Sequence, residues 1–223
     1  MSRPRAAIVV TGSELVRGER NDRNGPFYAR EALALGLTPE RIVIVGDDAV
    51  DLEAALRAGT EADVCLVSGG LGPTHDDRTV ELVARVAGVP LRVDHELEAQ
   101  IERVSRSIAE RLQRPYADFV AGVAKQATIP DGAEVIGVAG TAPGLVVPAN
   151  GCVFVVLPGP PSELRRLWPA ARDSARVWAG GARRSASFSA GRASRSTRRR
   201  RGRRRTRRSS RARPRRGSGT STC

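Results

Sequence analysis

A run of small and acidic residues between positions 68 and 81 carries the clearest chemistry in this chain. It reads Ser-Gly-Gly-Leu-Gly-Pro-Thr-His-Asp-Asp-Arg-Thr-Val-Glu and directly follows the apolar segment Val64–Val67. Glycine has no Cβ and readily adopts positive φ, so the backbone N–H groups of such a loop can converge on an anion. A tight turn with one aspartate as helix N-cap would explain two glycines and one acid. It leaves the third glycine, the proline and the second acid unexplained, so the run predicts a phosphate-binding loop flanked by carboxylates.

Aspartates occur in pairs after two of the predicted strands, and oxygen ligands of this kind suit a hard cation. We therefore expect Mg²⁺ or another divalent cation at this site. Zinc is not expected, because neither histidine has a Cys or His partner at ligand spacing. His75 fits an acid–base role and, equally, a solvent-facing position in the loop. The expected metal ligands are Asp47, Asp48, Asp76 and Asp77, with Glu14 and Asp22 as further carboxylates, and the candidate catalytic residues that position metal or water are Asp47 and Asp77.

Glycines and hydroxyl side chains at the ends of the predicted strands are the candidates for holding phosphate. The sequence contains no nucleophile-elbow motif. Ser13 and Ser68 are therefore expected to donate hydrogen bonds to phosphate rather than to act as nucleophiles. Lys125 is the only lysine in a chain with 36 arginines, and its compact ammonium suits a phosphate oxygen, although an ordinary surface lysine is as good an interpretation. The complete set of expected ligand-binding residues is Gly12, Ser13, Ser68, Gly69, Gly70, Gly72, Thr74, Lys125, Gly140, Thr141, Pro158, Gly159 and Ser162.

Short apolar runs alternate with amphipathic segments along the first 90 residues. This alternation predicts a three-layer α/β/α fold with a mostly parallel sheet, in which ligands bind at the carboxyl ends of the strands. An amphipathic helix, two further strands and a last helix after the turn at Pro158–Pro161 are expected to follow. The predicted strands are Ile8–Val10, Ile42–Val45, Val64–Val67, Gly144–Val147 and Val153–Leu157, and the predicted helices are Asn24–Leu35, Ala49–Ala58, Asp77–Ala87 and Glu96–Leu112.

The net charge of +13 belongs to the end of the chain and not to its body. Residues 174–223 hold 18 of the 37 basic residues and none of the 24 acidic ones, which leaves residues 1–173 with 19 basic and 24 acidic side chains. We expect a domain at 1–173 and an Arg-rich, low-complexity, disordered tail at 174–223. With no apolar run near the ~20 residues that a membrane span needs, and with Cys65 and Cys152 inside apolar strands, we expect a cytoplasmic protein without a membrane partner.

Three interpretations of the tail compete. It is a basic arm that binds nucleic acid non-specifically, a localisation patch, or the product of a frameshift. We favour the frameshift, since apolar periodicity and carboxylates stop at one point and out-of-frame translation of GC-rich DNA gives Arg, Ala, Gly, Pro and Ser.

The motifs along residues 5–170 together resemble a known family. Thr11-Gly12-Ser13, Asp47-Asp48, Gly140-Thr141 and Pro158-Gly159-Pro160-Pro161 occur in the same order as in the molybdenum-cofactor-biosynthesis (MoaB/Mog) domain. The Gly-Pro-Thr-His-Asp-Asp form of the central loop is similar to the version in the N-terminal half of CinA proteins. The resemblance implies a small-molecule nucleotide or pterin ligand and a homo-oligomer.

Two reactions are implied by this resemblance. CinA-like domains split ADP-ribose at its pyrophosphate with the help of a metal, and this is our expectation. MoaB/Mog domains bind molybdopterin and in some members adenylylate it, which is the alternative. A domain that binds its ligand without catalysis, or a protein that acts through nucleic-acid binding by its tail, is a third possibility. The amidohydrolase domain that usually follows in full-length CinA proteins has no counterpart in residues 174–223.

Overall fold

The structure is a computed structural model, and it describes residues 3–174. The tail from residue 175 onward lies outside the described residues, and so do the predictions made for it. The boundary at residue 173 stays a prediction.

Strands and helices alternate along the first 90 residues, as the sequence predicts, whereas the last four strands follow one another without a helix between them. A short 3₁₀ helix at Tyr116–Phe119 directly precedes the helix at Val120–Gln126. The strands are β1 (Arg5–Thr11), β2 (Thr38–Val45), β3 (Val64–Ser68), β4 (Leu91–Val93), β5 (Thr128–Pro130), β6 (Glu134–Ala139), β7 (Ala142–Ala149) and β8 (Cys152–Leu157). The helices are α1 (Ser13–Val16), α2 (Asn24–Ala34), α3 (Ala49–Gly59), α4 (Thr79–Ala87), α5 (His95–Arg111), α6 (Val120–Gln126) and α7 over 161–174.

Six strands form one sheet in the order β2-β1-β3-β8-β7-β6. The first four strands of this order are parallel, and β7 runs antiparallel between β8 and β6. The carboxyl ends of β2, β1, β3 and β8 therefore lie side by side at one edge of the sheet, together with the amino end of β7. Loops that follow these ends can share one ligand.

Helices cover both faces of the sheet, which explains why β3 and β8 are buried at every position. One face, with Val9, Val67 and Phe154, packs against α3, α4, α5 and α6. The opposite face, with Ile8, Leu66 and Val155, packs against α2 and α7. Alternate residues of each strand supply the two cores, and the predicted three-layer α/β/α fold with a mostly parallel sheet is confirmed.

Several details differ from the prediction, and helices α1 and α6 and the 3₁₀ helix were not predicted. The third helix begins at Thr79 instead of Asp77. Strands β4 and β5, which pair only with each other, and strand β6 were not predicted. Three-residue strands carry no usable periodicity, and β6 is half-exposed and interrupted by Gly137 at positive φ. Segment Gly140–Gly144, expected as a loop, is the turn of the β6–β7 hairpin and the start of β7.

Cys65 and Cys152 are free thiols inside the core, as expected from the apolar runs around them. Burial raises the pKa of Cys65 well above its ordinary value and that of Cys152 to about 12. Both therefore remain protonated and act as small hydrophobic side chains. None of the helices in residues 3–174 is long and apolar enough to cross a membrane.

Candidate functional site

A cavity of about 970 Å³ opens at the edge of the sheet where the parallel strands end. Its wall is formed by the segments that follow β1, β2, β3 and β8 and by the loop between α1 and α2. Of the site residues that the sequence predicted, the cavity wall contains Gly12, Glu14, Asp22, Asp47, Gly69, Gly70, Gly72, Thr74, Asp76, Asp77, Thr141, Pro158 and Gly159.

Asp47 is held in the cavity wall by three donor groups at the end of β1 and the start of α1. Its Oδ2 accepts hydrogen bonds from the Ser13 N–H at 3.1 Å and from the Ser13 hydroxyl at 2.6 Å. Its Oδ1 accepts a longer one, of 3.3 Å, from the Thr11 hydroxyl. Ser13 itself does not line the cavity, so its role here is to orient the Asp47 carboxylate and not to contact phosphate directly.

The glycine loop, residues 69–77, passes close to the end of β1. Gly69 has φ +104° and Gly70 has φ +66°, conformations that other residues rarely adopt. A Cβ on Gly69 would collide with the Thr11 carbonyl oxygen, and one on Gly70 would collide with the Thr79 hydroxyl beneath it. That hydroxyl is buried and has no hydrogen-bond partner among the described residues. The glycines are therefore needed for a close approach of two backbones at the floor of the cavity.

Asp77 closes the end of the glycine loop. Its Oδ2 accepts hydrogen bonds from the Thr74 N–H at 3.1 Å and from the Thr74 hydroxyl at 2.5 Å, while its own N–H donates to the Thr74 carbonyl at 3.2 Å. The alternative that Asp77 merely caps the next helix does not hold, because α4 starts at Thr79 and has no side-chain cap. Asp76, beside it, pairs with the exposed ring of His75 at 2.7 Å.

Asp48 is not part of the cavity wall. Its expected role as a metal ligand stays a prediction that this placement does not favour. It is the N-cap of α3, where one carboxylate oxygen accepts from Val50 N–H at 2.8 Å and from Asp51 N–H at 3.2 Å. The first turn of a helix has unpaired N–H groups, and the strand-to-helix turn aims Asp48 at them. The adjacent residues Asp47 and Asp48 therefore have different roles: Asp47 lines the cavity, and Asp48 caps α3.

Substitution of Asp48 tests this division. We expect Asp48→Ala to lower the free energy of unfolding by about 1 kcal/mol, the usual loss for an N-cap. The Kd for the expected ligand ADP-ribose and the kcat for its turnover should both stay within about twofold of the wild-type values. Urea denaturation and a ligand titration measure the two effects. Asp48→Asn is the matched control and should restore stability, since asparagine caps as well as aspartate. A large loss of turnover in Asp48→Asn would instead return Asp48 to the metal site.

Lys125, which lies outside the cavity wall, and its neighbour Gln126, which lines the cavity, both bind the glycine loop. The Lys125 ammonium donates to the carbonyl oxygens of Thr74 and of Asp77, the latter at 2.7 Å. The Gln126 side-chain amide donates to the carbonyl of Leu71 at 2.8 Å. Desolvation lowers the pKa of Lys125, and the nearby Asp77 partly offsets this. The sequence leaves two interpretations of Lys125, a phosphate ligand and a plain surface residue. Its bonds to two carbonyl groups of the glycine loop match neither of them.

Ser68 is fully buried and joins the strand ends instead of facing the ligand. Its hydroxyl donates to the Pro158 carbonyl at 3.2 Å and accepts from the Asn24 amide at 2.8 Å. The same amide donates to the Gly159 carbonyl at 2.7 Å. Asn24 therefore ties the start of α2 to the ends of β3 and β8.

The remaining predicted contacts divide between the cavity and the surface. Thr141, Pro158 and Gly159 line the cavity, whereas Gly140 and Ser162 do not. Gly140 has φ +61°, and a Cβ there would lie 2.7 Å from a carboxylate oxygen of Glu163.

The cavity residues that sequence reasoning missed include the polar and charged side chains of Glu163, Gln126, Arg20 and Arg23. Burial raises the pKa of Glu163. Arg20 and Arg23 lie in the exposed polar segment before α2. From sequence, this segment has the composition of an ordinary exposed loop.

The expected four-aspartate cluster is not formed. Among residues 3–174, no group of three or more His, Cys, Asp or Glu side chains is placed to hold a metal together. Asp22 is also engaged, because it accepts from the N–H groups of Asn24 and Gly25 at the start of α2. Of the expected carboxylates, the cavity wall contains Asp47, Asp76, Asp77, Asp22 and Glu14. A Mg²⁺ site usually takes one or two carboxylates from the protein, and substrate phosphates and waters supply the other ligands.

Comparison with known proteins supports the family indicated by these motifs. A family model described as a probable molybdopterin binding domain matches residues 7–171. The CinA-like protein of Mycobacterium marinum is 49% identical over 173 residues, which cover 75% of this chain and 40% of that protein. The CinA-like protein of Mycobacterium leprae is 49% identical over 167 residues, with coverage of 74% and 39%. The chain thus spans about 40% of the length of these curated relatives.

Solved structures agree with the sequence matches. The crystal structure of the protein CinA with unknown function from Thermoplasma acidophilum is 31% identical, with a TM-score of 0.67, and the match covers 78% of this chain and 98% of that one. The molybdopterin biosynthesis Mog protein from Mycobacterium ulcerans shares the fold at 21% identity, with a TM-score of 0.54 and coverage of 81% and 99%. With a family model over most of its length and relatives near half identity, the chain belongs to the molybdopterin-binding domain family, as the MoaB/Mog-like domain of CinA-like proteins.

Proposed function

We propose that this domain hydrolyses the pyrophosphate of ADP-ribose or a closely related nucleotide with the help of a divalent cation. The observation that carries the proposal is that two carboxylates, Asp47 and Asp77, line one cavity together with the glycine loop. Joining or breaking a phosphoanhydride requires a group that binds phosphate oxygens next to groups that hold a metal or a water. The cavity wall contains candidates for both.

The shape of the site supports an extended ligand. Asp47 follows β2, and Thr141 precedes β7, four strands away in the sheet order. With strands spaced about 4.8 Å apart, these two ends are separated by roughly 19 Å. The glycine loop follows β3, midway between them. The Asp47 carboxylate is held by Thr11 and Ser13 at the end of β1, which is the neighbour of β3 in the sheet. A ligand with a pyrophosphate between two larger groups would place the pyrophosphate between the glycine loop and this carboxylate, with its larger groups extending to either side.

The backbone of the glycine loop and the side chains of the cavity wall would have different roles in hydrolysis. The N–H groups of Gly70, Leu71 and Gly72 in the glycine loop would bind phosphate oxygens, and Arg20 and Arg23 would add positive charge from the loop before α2. Asp47, oriented by Ser13 and Thr11, and Asp77, oriented by Thr74, would accept protons of a bound water and direct it at phosphorus. The products of water addition to ADP-ribose are AMP and ribose 5-phosphate.

The residues present fit a Mg²⁺ ion of the kind that phosphate substrates help to hold. Asp47 and Asp77 would bind it, with phosphate oxygens and waters as the other ligands. When bound, such a cation neutralises charge on the pyrophosphate and favours attack by water.

Pterin binding is the second candidate, and the name of the matching family, a probable molybdopterin binding domain, favours it. An adenylylated pterin also carries a pyrophosphate and would use the same glycine loop. We place ADP-ribose first because the Gly-Pro-Thr-His-Asp-Asp form of the loop resembles that of CinA proteins.

A ligand panel tests the proposal on the full chain. Thermal melts with ADP-ribose, ADP and a pterin phosphate, each with and without Mg²⁺ or Mn²⁺, should show the largest shift for ADP-ribose. A ligand at about 100 times its Kd adds about 2.7 kcal/mol, which raises Tm by several degrees. Chromatography should then detect AMP from ADP-ribose only with the metal. A shift with the pterin alone and no AMP would favour the second candidate and reject the first.

A further inference from the structure

Helix α6 contacts the glycine loop at three separate points. Near its start, Gly122 packs on Pro73 so closely that a Cβ at Gly122 would lie 2.6 Å from the proline Cβ. At its end, Gln126 binds the Leu71 carbonyl, and Lys125 binds the carbonyls of Thr74 and Asp77. This helix of seven residues therefore contacts the glycine loop at Leu71, at Pro73 and Thr74, and at Asp77, where the loop ends.

The loop has few other contacts on its outer side. Residues 73–76 are all exposed, and the His75 side chain is 92% exposed. The internal hydrogen bonds between Thr74 and Asp77 close the turn but do not attach it to the domain. Exposed segments with few buried apolar contacts open locally at little cost, so an external attachment decides how well Asp77 is positioned.

Lys125 is suited to such an attachment by its chemistry. An ammonium has three donors and no acceptor, so one nitrogen can bind two carbonyl groups at once. The Thr74 carbonyl also accepts from the Asp77 N–H, and the Lys125 bond therefore reinforces the same turn that orients the Asp77 carboxylate. Lys125 is not among the residues that line the cavity, so we expect it not to contact the ligand.

We propose that Lys125, supported by Gln126, is a positioning residue that fixes the glycine loop and thereby the Asp77 carboxylate. The inference concerns the geometry of Asp77, and its importance for turnover rests on the proposed function.

The test compares Lys125→Met with Arg111→Met, a control that removes an exposed cation from the last turn of α5. In Lys125→Met we expect the backbone amides of Thr74 and Asp77 to exchange hydrogen at least tenfold faster, while amides of β8 stay unchanged. Turnover of ADP-ribose should fall at least tenfold in kcat. The Kd for ADP-ribose, measured without metal, should stay within about threefold, because Lys125 does not contact the ligand. Arg111→Met should match wild type in all of these.

Chemical modification gives a second route that needs no substitution. Lys125 is the only lysine in the chain, so reductive methylation of the folded protein alters just this side chain and the amino terminus. Dimethylation keeps the positive charge and leaves a single N–H, which can serve only one of the two carbonyls. We expect the amides of Thr74 and Asp77 to exchange faster in the methylated protein as well.

The outcomes separate this inference from the proposed function. Unchanged exchange at Thr74 and Asp77 in both the variant and the methylated protein would overturn the positioning role. A Kd raised more than tenfold with unchanged exchange would show that Lys125 binds phosphate directly. If wild type does not hydrolyse ADP-ribose, the proposed function fails, and the exchange rates still decide the role of Lys125.

Discussion

Asp77→Asn is expected to abolish most of the turnover while leaving the protein folded. Asparagine has the same shape, and its side-chain oxygen can still accept the Thr74 N–H, so the turn that closes the glycine loop should persist. The substitution removes the negative charge that would bind a metal or take a proton from water. Loss of such a group lowers rates by at least ~10²-fold. Steady-state release of AMP from ADP-ribose with Mg²⁺ measures kcat, and a thermal melt should show a Tm close to that of wild type.

Asp118→Asn provides the control for this experiment. Asp118 is an aspartate outside the cavity wall that pairs with Arg114 on the surface, and its replacement by asparagine should leave kcat unchanged. Asp47→Asn should lower kcat as Asp77→Asn does. The double variant should lose less than the product of the two single losses, since groups that act on one step are not additive. Full turnover in both single variants would leave the domain as a binder of phosphate ligands only.

Several features of the site could be predicted from sequence because they depend on local chemistry. Glycine at Gly69 and Gly70 signals a backbone that comes close to another group, and the structure shows that group to be the Thr11 carbonyl and the Thr79 hydroxyl. Parallel strands bring their carboxyl ends to one edge whatever their order, so the gathering of Gly12, Asp47 and the glycine loop followed from alternation alone.

Other features depend on the direction in which a side chain points or on how a helix packs, and the sequence does not specify either. Asp47 and Asp48 are chemically identical neighbours, and only the turn between β2 and α3 decides that one faces the cavity and the other caps the helix. Lys125 lies 48 residues from Asp77 along the chain, and its bond to that carbonyl depends on how α6 packs. Arg20 and Arg23 have no pattern that separates them from other exposed arginines.

Gly69→Ala is expected to damage both the fold and the binding site. Gly69 has φ +104°, and its new Cβ would overlap the Thr11 carbonyl and lie 3.0 Å from the Thr11 methyl group. The end of β1 or the glycine loop must therefore shift, which also disturbs the bond of 3.1 Å from the Gly69 N–H to the Leu157 carbonyl. Strained backbone and displaced neighbours together should lower the free energy of unfolding by about 2–4 kcal/mol. Urea denaturation measures this loss, and a titration with ADP-ribose should show Kd raised at least tenfold.

Gly88→Ala separates the strain from the collision. Gly88 also has positive φ, at +73°, where it ends α4, but a Cβ there would meet nothing within 4 Å. This variant should lose only about 1 kcal/mol, the effect of alanine in a left-handed conformation, and should bind ADP-ribose as wild type does. The difference between the two variants then measures the close approach of the glycine loop to β1. If both variants lost the same stability and both kept their affinity, the glycine loop would have room for a side chain, and its glycines would not be needed to bring the loop backbone against β1 at the ligand.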